Sequence, residues 1–105
     1  MLLTQALARG RGRMLVSRYC DGGSWTGNAA TPANSSFGKP VFYRGRRLLD
    51  AMLADWRGRG LAQANELLYA GCSAGALTAY LHADYVASRL PASVKVRALG
   101  DAMCF

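Results

Sequence analysis

The sequence has 105 residues, enough for one small domain. Its 13 lysine and arginine residues outnumber its 6 acidic residues, which gives a net charge of +7, and all but two of the basic residues are arginine. This charge suits partners that carry phosphates or carboxylates, although a solvated basic surface explains the composition equally well.

Neither a membrane segment nor a metal site is expected. No apolar run approaches the roughly 20 residues of a membrane span, and Met1–Ala8 lacks the basic and long apolar regions of a signal peptide. Cys20, Cys72 and Cys104 lie far apart without a C-x-x-C pair, which argues against zinc. Three cysteines fit a secreted protein with disulfide partners elsewhere, and they fit reduced intracellular thiols equally well.

The first 19 residues are predicted to form a flexible N-terminal segment followed by a strand. Residues 1–13 end in alternating arginine and glycine, and we expect them to form a flexible basic lead. A nucleic-acid contact of the arginine–glycine type is a minor alternative, because the run is short. The apolar segment Met14–Tyr19 is a candidate strand, and the Gly-rich stretch Cys20–Asn28 is the loop that follows it.

That loop holds three candidate site-lining residues. In open α/β sheets, ligands bind at the carboxyl ends of the strands, which is where this loop begins. Asp21, Ser24 and Trp25 are therefore expected to line a site. The alternative is an ordinary Gly-rich turn with Trp25 packed against the domain.

A helix and a strand are predicted in the middle of the chain. Prolines make residues 29–40 a loop. Between Arg44 and Arg57 apolar residues recur at helical spacing, the arginines form a solvated face, and Gly58 ends the helix. The short apolar stretch Glu66–Ala70 then predicts a buried strand.

The next five residues, Gly71–Gly75, have the sequence G-C-S-A-G and precede a predicted helix over Ala76–Ser88. A G-x-S-x-G sequence between a strand and a helix is typical of the nucleophile elbow of α/β-hydrolases. Gly71 and Gly75 leave room for the sharp turn, Ser73 is the candidate nucleophile, and the Ala74 N–H is a candidate oxyanion donor. The alternative is a Gly/Ser-rich turn that only leads into a helix.

The order of these elements predicts the fold class. Val94–Leu99 alternates as a strand does, so the chain has a βαβαβ order with parallel strands and right-handed crossovers. We predict an α/β fold, a partial α/β-hydrolase-type parallel sheet with a strand–nucleophile elbow–helix unit. Such domains usually need about twice this length, so residues 14–105 are expected to form a partial catalytic domain.

No catalytic triad is complete in the sequence. The one histidine, His82, follows Ser73 by nine residues, which on a helix is roughly 13 Å along the axis and half a turn around it. His82 therefore cannot reach Ser73, and we expect it to take part in helix packing or in a surface hydrogen bond. Asp101 follows the last strand and should lie near the same sheet edge as Ser73. Cys72 is a poor alternative nucleophile, because we expect its side chain to point back into the sheet.

Four blocks of the sequence resemble the pectin acetylesterase/Notum family of carboxylesterases. Arg18–Gly27 is similar to R-Y-C-D-G-x-S-F-x-G, Phe42–Ala51 to F-R-G-x-R-I-x-x-A, Gly71–Leu77 with Leu81–Asp84 to G-C-S-A-G-G-L and L-H-C-D, and Lys95–Ala102 to K-V-x-x-L-S-D-A. Together and in this order the four blocks are highly specific.

The resemblance implies an α/β-hydrolase-type esterase that deacetylates pectin, is secreted to the cell wall and uses no cofactor. Ser73 matches the nucleophile of the family, and Ala74 matches the residue whose N–H helps to form the oxyanion hole. The acid and the histidine of the family lie further downstream, so Asp101 and His82 match residues without a catalytic role. The implied partner is acetylated pectin or another acylated polysaccharide, and neither a membrane nor nucleic acid is expected.

The sequence also departs from the family pattern. The Gly-Gly-Trp-Cys-type oxyanion segment is absent, residues 1–13 match nothing, Ala76 replaces a glycine and Ala83 replaces a cysteine. The chain is thus expected to be an internal piece of the catalytic domain and to be inactive alone. The alternative is a catalytically inactive basic fragment that binds polyanions, either pectin or nucleic acid.

Overall fold

The structure, a computed structural model, describes residues 2–8 and 11–103, which form a mixed α/β fold. A 3₁₀ helix at Leu61–Gln63 joins the first α-helix to the strand before the elbow. The strands are β1 (Leu2–Ala8), β2 (Arg11–Ser17), β3 (Ala33–Asn34), β4 (Pro40–Val41), β5 (Glu66–Cys72) and β6 (Lys95–Asp101), and the α-helices are α1 (Gly45–Gly58) and α2 (Ala74–Ser88).

The main sheet has four strands in the order β2-β1-β5-β6. β5 and β6 pair in parallel from Glu66 opposite Lys95 to Cys72 opposite Asp101, with α2 between them in the chain, as the sequence predicted. β1 is antiparallel to both β2 and β5. The strands β2, β5 and β6 therefore run in one direction, but the sheet is mixed and not wholly parallel.

The antiparallel strand replaces the flexible lead that we expected over residues 1–13. Leu2–Ala8 pairs with β2 along one edge and with β5 along the other. A strand held on both edges has its backbone N–H and C=O groups satisfied, which favours an ordered segment over a flexible one. β2 consequently begins at Arg11 and ends at Ser17, whereas we predicted a strand from residue 14 to residue 19. The remaining residues of the expected lead, 1, 9 and 10, lie outside the described residues.

The other elements lie close to their predicted positions. α1 begins and ends one residue after its predicted bounds, and β6 begins one residue later and ends two later than expected. The predicted loop over residues 29–40 contains the small hairpin β3–β4, in which Ala33 pairs with Val41. β5 extends to Cys72 and α2 starts at Ala74, so a single residue separates the strand from the helix.

The core lies on the one sheet face that both α-helices cover. Leu67 and Tyr69 of β5 are completely buried there. The cluster around them is drawn from both helices and includes Leu49, Leu53, Trp56, Ala79 and Val86. Burial raises the pKa of the Tyr69 phenol, whose oxygen has no hydrogen-bond partner among the described residues, so this side chain stays neutral.

The opposite sheet face is open to solvent. Met14, Val16 and Leu99 on this face are 62%, 50% and 53% exposed. An ion pair between Arg97 and Glu66 joins β6 to β5 on the same face. Within residues 2–8 and 11–103, no helix is long and apolar enough to span a lipid bilayer.

A polar cluster joins the two helices outside the core. The Tyr85 hydroxyl of α2 donates a hydrogen bond to Asp50 of α1. The Arg46 guanidinium lies 3.3 Å from the centroid of the Tyr85 ring, a cation–π contact. We expected Arg46 to belong to a solvated helix face, but Tyr85 leaves its side chain only 31% exposed. The sequence of α1 alone does not indicate this partner on another helix.

Leu67→Ala tests the position of the core. The side chain is completely buried, so its truncation should lower the free energy of unfolding by about 2–5 kcal/mol. The matched control is Leu81→Ala, because Leu81 is 54% exposed and its truncation should change stability by less than about 0.5 kcal/mol. Urea denaturation followed by circular dichroism measures both values. Equal losses in the two variants would contradict the described core.

Candidate active site

Ser73 occupies the single position between β5 and α2. Its backbone has φ 55° and ψ −120°, outside the helical and strand regions, and it is the N-cap residue of α2. A non-glycine residue in such a conformation costs on the order of 1–3 kcal/mol unless the surrounding structure imposes it. Ser73 is exposed, and its hydroxyl makes no capping hydrogen bond to the helix. The serine oxygen is thus presented at the tip of the turn.

The turn is imposed by a close approach of two glycines. A Cβ atom added to Gly71 would overlap the Gly75 carbonyl group and lie 2.8 Å from the Ala76 nitrogen. Only a residue without a side chain fits at position 71 while the helix starts where it does. The sequence predicted that the turn has no room for a side chain at this position, and the geometry of Gly71 agrees.

A hydrogen bond fixes the turn to the neighbouring strand. The Ser73 N–H donates to the Asp101 carbonyl oxygen at 2.9 Å, which extends the β5–β6 pairing by one residue. Ala102, directly after this acceptor, also has a positive φ of 51°. Asp101 therefore lies near Ser73, as predicted, and its backbone supports the turn while its side chain is exposed.

The start of α2 presents backbone donors next to Ser73. Ala76 and Leu77 donate their N–H groups to the Ser73 carbonyl at 2.9 and 3.3 Å. The first N–H groups of any α-helix have no acceptor within the helix, and here they belong to Ala74 and Gly75. They lie at the positive end of the helix dipole, so they favour a negative charge placed at this end.

Cys72 does not point into a buried layer as we expected. Cys72 is exposed, and its thiol is free. The reason lies in the sheet: residues 68, 70 and 72 alternate onto the face that neither helix covers. We predicted that the Cys72 side chain points back into the sheet; it lies on the open sheet face, where it is not enclosed, and Ser73 holds the tip of the turn.

The loop after β2 folds back onto the start of α1. The Trp25 N–H donates to the Asp21 carboxylate at 3.1 Å, and the Ser24 N–H donates to the Tyr19 hydroxyl at 3.1 Å. The same carboxylate of Asp21 packs against Gly45, the first residue of α1, where a negative charge complements the helix dipole. Asp21 thereby holds the loop and the helix together.

Two loop residues that we expected to line a site are buried. Ser24 and Trp25 are 8% and 2% exposed, and both have positive φ values of 51° and 61°. Trp25 belongs to the core cluster and also lines a cavity of about 500 Å³ between β2 and α1, together with Met52 and Trp56. None of residues 71–75 lines this cavity or the cavity of about 470 Å³ beside Arg13 and Leu61.

His82 is the residue that connects this loop to α2. Its imidazole is buried, and its Nε2 lies 2.9 Å from the Ser24 carbonyl oxygen. Because a carbonyl only accepts, Nε2 carries the proton. The structure thus brings His82 together with Ser24 and not with Ser73. His82 packs inside the fold, but its hydrogen bond is buried and reaches a distant loop, whereas we expected a surface bond.

Gly45 is a tightly packed position beside the candidate site-lining loop that the sequence did not reveal. A Cβ atom there would overlap the Asp21 carboxylate and lie 2.7 Å from the Trp25 Cα atom. The glycine at the start of a helix between two arginines was the available signal. This glycine could not be interpreted from the sequence alone, because the segment that packs on this end of the helix lies 20 residues earlier in the chain.

Gly71→Ala tests the close approach at the turn. The added methyl group must displace the backbone of α2, so the free energy of unfolding should fall by about 3 kcal/mol. Gly58→Ala is the matched control, because nothing lies within 4 Å of a Cβ added there and the change should be neutral or slightly stabilising. Thermal unfolding compares the two. A Gly71→Ala protein as stable as Gly58→Ala would refute the described contact.

His82→Leu tests the connection between loop and helix. The variant leaves the buried Ser24 carbonyl without its donor, which should cost about 1–3 kcal/mol of stability. His82→Gln retains an N–H donor and should recover part of the loss. Chemical denaturation measures the three proteins, and equal losses for leucine and glutamine would show that the hydrogen bond contributes nothing.

Comparison with known proteins identifies the family. Residues 13–105 match the model of the Pectinacetylesterase family. Pectin acetylesterase 7 of Arabidopsis thaliana is 42% identical over 90 residues, which cover 84% of this chain and 22% of that protein. Pectin acetylesterase 11 of the same plant is 41% identical over 90 residues with the same coverage, and pectin acetylesterase 5 is 33% identical over 84 residues, 80% of this chain and 19% of that protein. The chain spans about a fifth of the length of these relatives. The resemblance drawn from the four blocks is confirmed, and the chain belongs to the pectin acetylesterase family.

Proposed function

We propose that this chain carries the nucleophile of a serine carboxylesterase that removes acetyl groups from pectin. The observation that supports this proposal most is the conformation of Ser73, exposed at the tip of a one-residue turn between a strand and a helix. Family membership supports the ester class and the polymer. On this proposal residues 14–105 form part of a larger α/β-hydrolase-type domain, secreted to the cell wall.

The proposed reaction is acyl transfer through serine. The Ser73 Oγ attacks the acetyl carbonyl carbon while a base takes its proton, and the resulting oxyanion accepts a hydrogen bond from the Ala74 N–H. Collapse breaks the ester bond while the base gives its proton to the leaving sugar oxygen, which releases the sugar hydroxyl and leaves an acetyl-enzyme. Water then attacks the acetyl group in the same way and releases acetate and free Ser73.

An imidazole base has to come from outside these 105 residues. The sequence contains one histidine, and the Nε2–H of His82 is committed to the Ser24 carbonyl inside the protein. Without a base a serine hydroxyl is a weak nucleophile. The esterase activity is therefore proposed for a protein that supplies the missing groups, and the chain by itself is expected to be inactive.

A second candidate function is polyanion binding without catalysis. The net charge of +7 favours it, because basic surfaces attract phosphate and carboxylate polymers whether or not a nucleophile is active. The two functions differ in their dependence on Ser73. Ester hydrolysis requires its hydroxyl, whereas polyanion binding does not.

A chimeric enzyme tests the nucleophile. In Arabidopsis pectin acetylesterase 7, the 90 matched residues are replaced by the corresponding residues of this chain, and acetate release from acetylated pectin is measured. We expect activity in the chimera and its loss by about 10⁴-fold or more in Ser73→Ala, because the remaining groups of a triad act only through the nucleophile. Ser88→Ala, an exposed serine at the end of α2, is the matched control and should remain active.

The 105-residue chain alone provides the complementary measurement. A fluorophosphonate probe, which labels only activated serines, should leave Ser73 unmodified because no base reaches it. The same probe should label the chimera at Ser73. An active chimera that is unaffected by Ser73→Ala would refute the proposed nucleophile, and labelling of the isolated chain would refute its expected inactivity.

A further inference from the structure

The segment that contains the β3–β4 hairpin has an unusual surface. Between Asp21 and Asp50 the sequence contains no carboxylate but four cations. All six acidic residues of the chain lie elsewhere, so the positive charge of this segment is not compensated within it. We call its exposed part the hairpin surface, which consists of Phe37, Lys39, Phe42, Tyr43, Arg44 and Arg47.

Aromatic rings are presented on this surface and not packed. Phe37 at the hairpin tip is 91% exposed, and Phe42 and Tyr43 are 52% and 54% exposed. Leaving a phenylalanine in water forfeits about 1.5–3 kcal/mol that burial would supply. One such residue is ordinary, but three within seven positions on one small hairpin indicate a surface that binds something.

The backbone beneath the rings is fixed. Ser35 and Lys39 close the hairpin tip, with the Ser35 N–H donating to the Lys39 carbonyl at 3.0 Å and the Lys39 N–H donating to the Ser35 hydroxyl at 3.1 Å. The Ala29 N–H donates to the Tyr43 carbonyl at 2.8 Å, which ties the base of the hairpin to the preceding loop. A ligand would meet a backbone whose conformation is already set, which lowers the entropy lost on binding.

Two guanidinium groups of this surface are held in place, one of them beside a ring. The Arg44 guanidinium is 4.9 Å from the centroid of the Phe42 ring and donates to the Ala30 carbonyl at 2.9 Å. Arg47 donates to the Asn28 side chain at 2.9 Å. Guanidinium groups held this way retain further N–H donors for a carboxylate, and their placement is pre-organised.

The topology brings this surface to the edge that bears Ser73. The segment leaves the sheet at the carboxyl end of β2, and Ser73 follows the carboxyl end of β5. Both strands run in the same direction, because β1 lies antiparallel to each of them. The segment therefore starts from the same end of the sheet as the exposed serine.

We propose that the hairpin surface binds an acidic polysaccharide, a chain of uronate rings. The aliphatic C–H faces of pyranose rings suit the negative faces of aromatic rings, and the ring carboxylates suit lysine and arginine. The choice of polymer rests on the proposed function. A nucleic acid also stacks on aromatic rings, but its denser phosphates call for a groove of cations, whereas this surface combines three rings with three cations.

Titration of the 105-residue chain with an oligogalacturonate by calorimetry tests the proposal. Phe37→Ala and Phe42→Ala should each raise the Kd by roughly 3- to 10-fold, the range expected for one ring contact. Lys39→Gln should raise the Kd and weaken its dependence on salt. Arg57→Gln is the matched control, because it removes one exposed charge outside the hairpin surface and should change the Kd less than twofold.

Three results would overturn the proposal. The first is no binding of the oligogalacturonate, and the second is an equal loss in Lys39→Gln and Arg57→Gln, which would show that only net charge matters. The third is tighter binding of a single-stranded oligonucleotide than of the oligogalacturonate with the same dependence on Phe37. Because Phe37 is 91% exposed, its variants should fold normally, which circular dichroism verifies.

The assay separates this proposal from the esterase proposal. Binding is measured with a sugar polymer that carries no acetyl ester and does not depend on Ser73. A chain that binds while the chimera releases no acetate would refute only the esterase. An active chimera whose parent chain does not bind would refute only the hairpin surface.

Discussion

The contact between Gly71 and Gly75 is the constraint on which the candidate site depends. Because the backbone of α2 passes where a Gly71 side chain would lie, the strand can pass into the helix with only Ser73 between them. The unfavourable backbone conformation of Ser73 follows from this contact. The Asp101 carbonyl then holds the turn from the next strand, so the exposure of one hydroxyl depends on three segments of the chain.

The side chains whose chemistry suggests catalysis in the sequence have structural roles away from Ser73. His82 and Asp21 are the types that catalysis uses most, yet each holds the loop between β2 and α1 in place. The loop needs such support because Ser24 and Trp25 both have left-handed backbone angles. The buried His82 side chain thus has a structural role, since it fixes the loop that precedes the hairpin.

Local patterns in the sequence were enough to predict the main elements and the turn. They were not enough to predict how these elements are arranged. The helical spacing of α1, the apolar run of β5 and the G-x-S-x-G turn each depend on neighbours a few residues away, and each prediction was close. The insertion of β1 between β2 and β5 depends on pairing across about 60 residues, which no local pattern encodes. The burial of Trp25 was open as an alternative and could not be decided, and the Arg46–Tyr85 contact was not foreseen, because the partners of both residues lie on other elements.

The pairing of β1 has a consequence for anything attached to the chain. Leu2 lies opposite Gly71, and Asp101 lies opposite Cys72, so both ends of the described fold meet at the edge that exposes Ser73. A fluorophore attached at position 2 or at position 101 would therefore lie beside the serine.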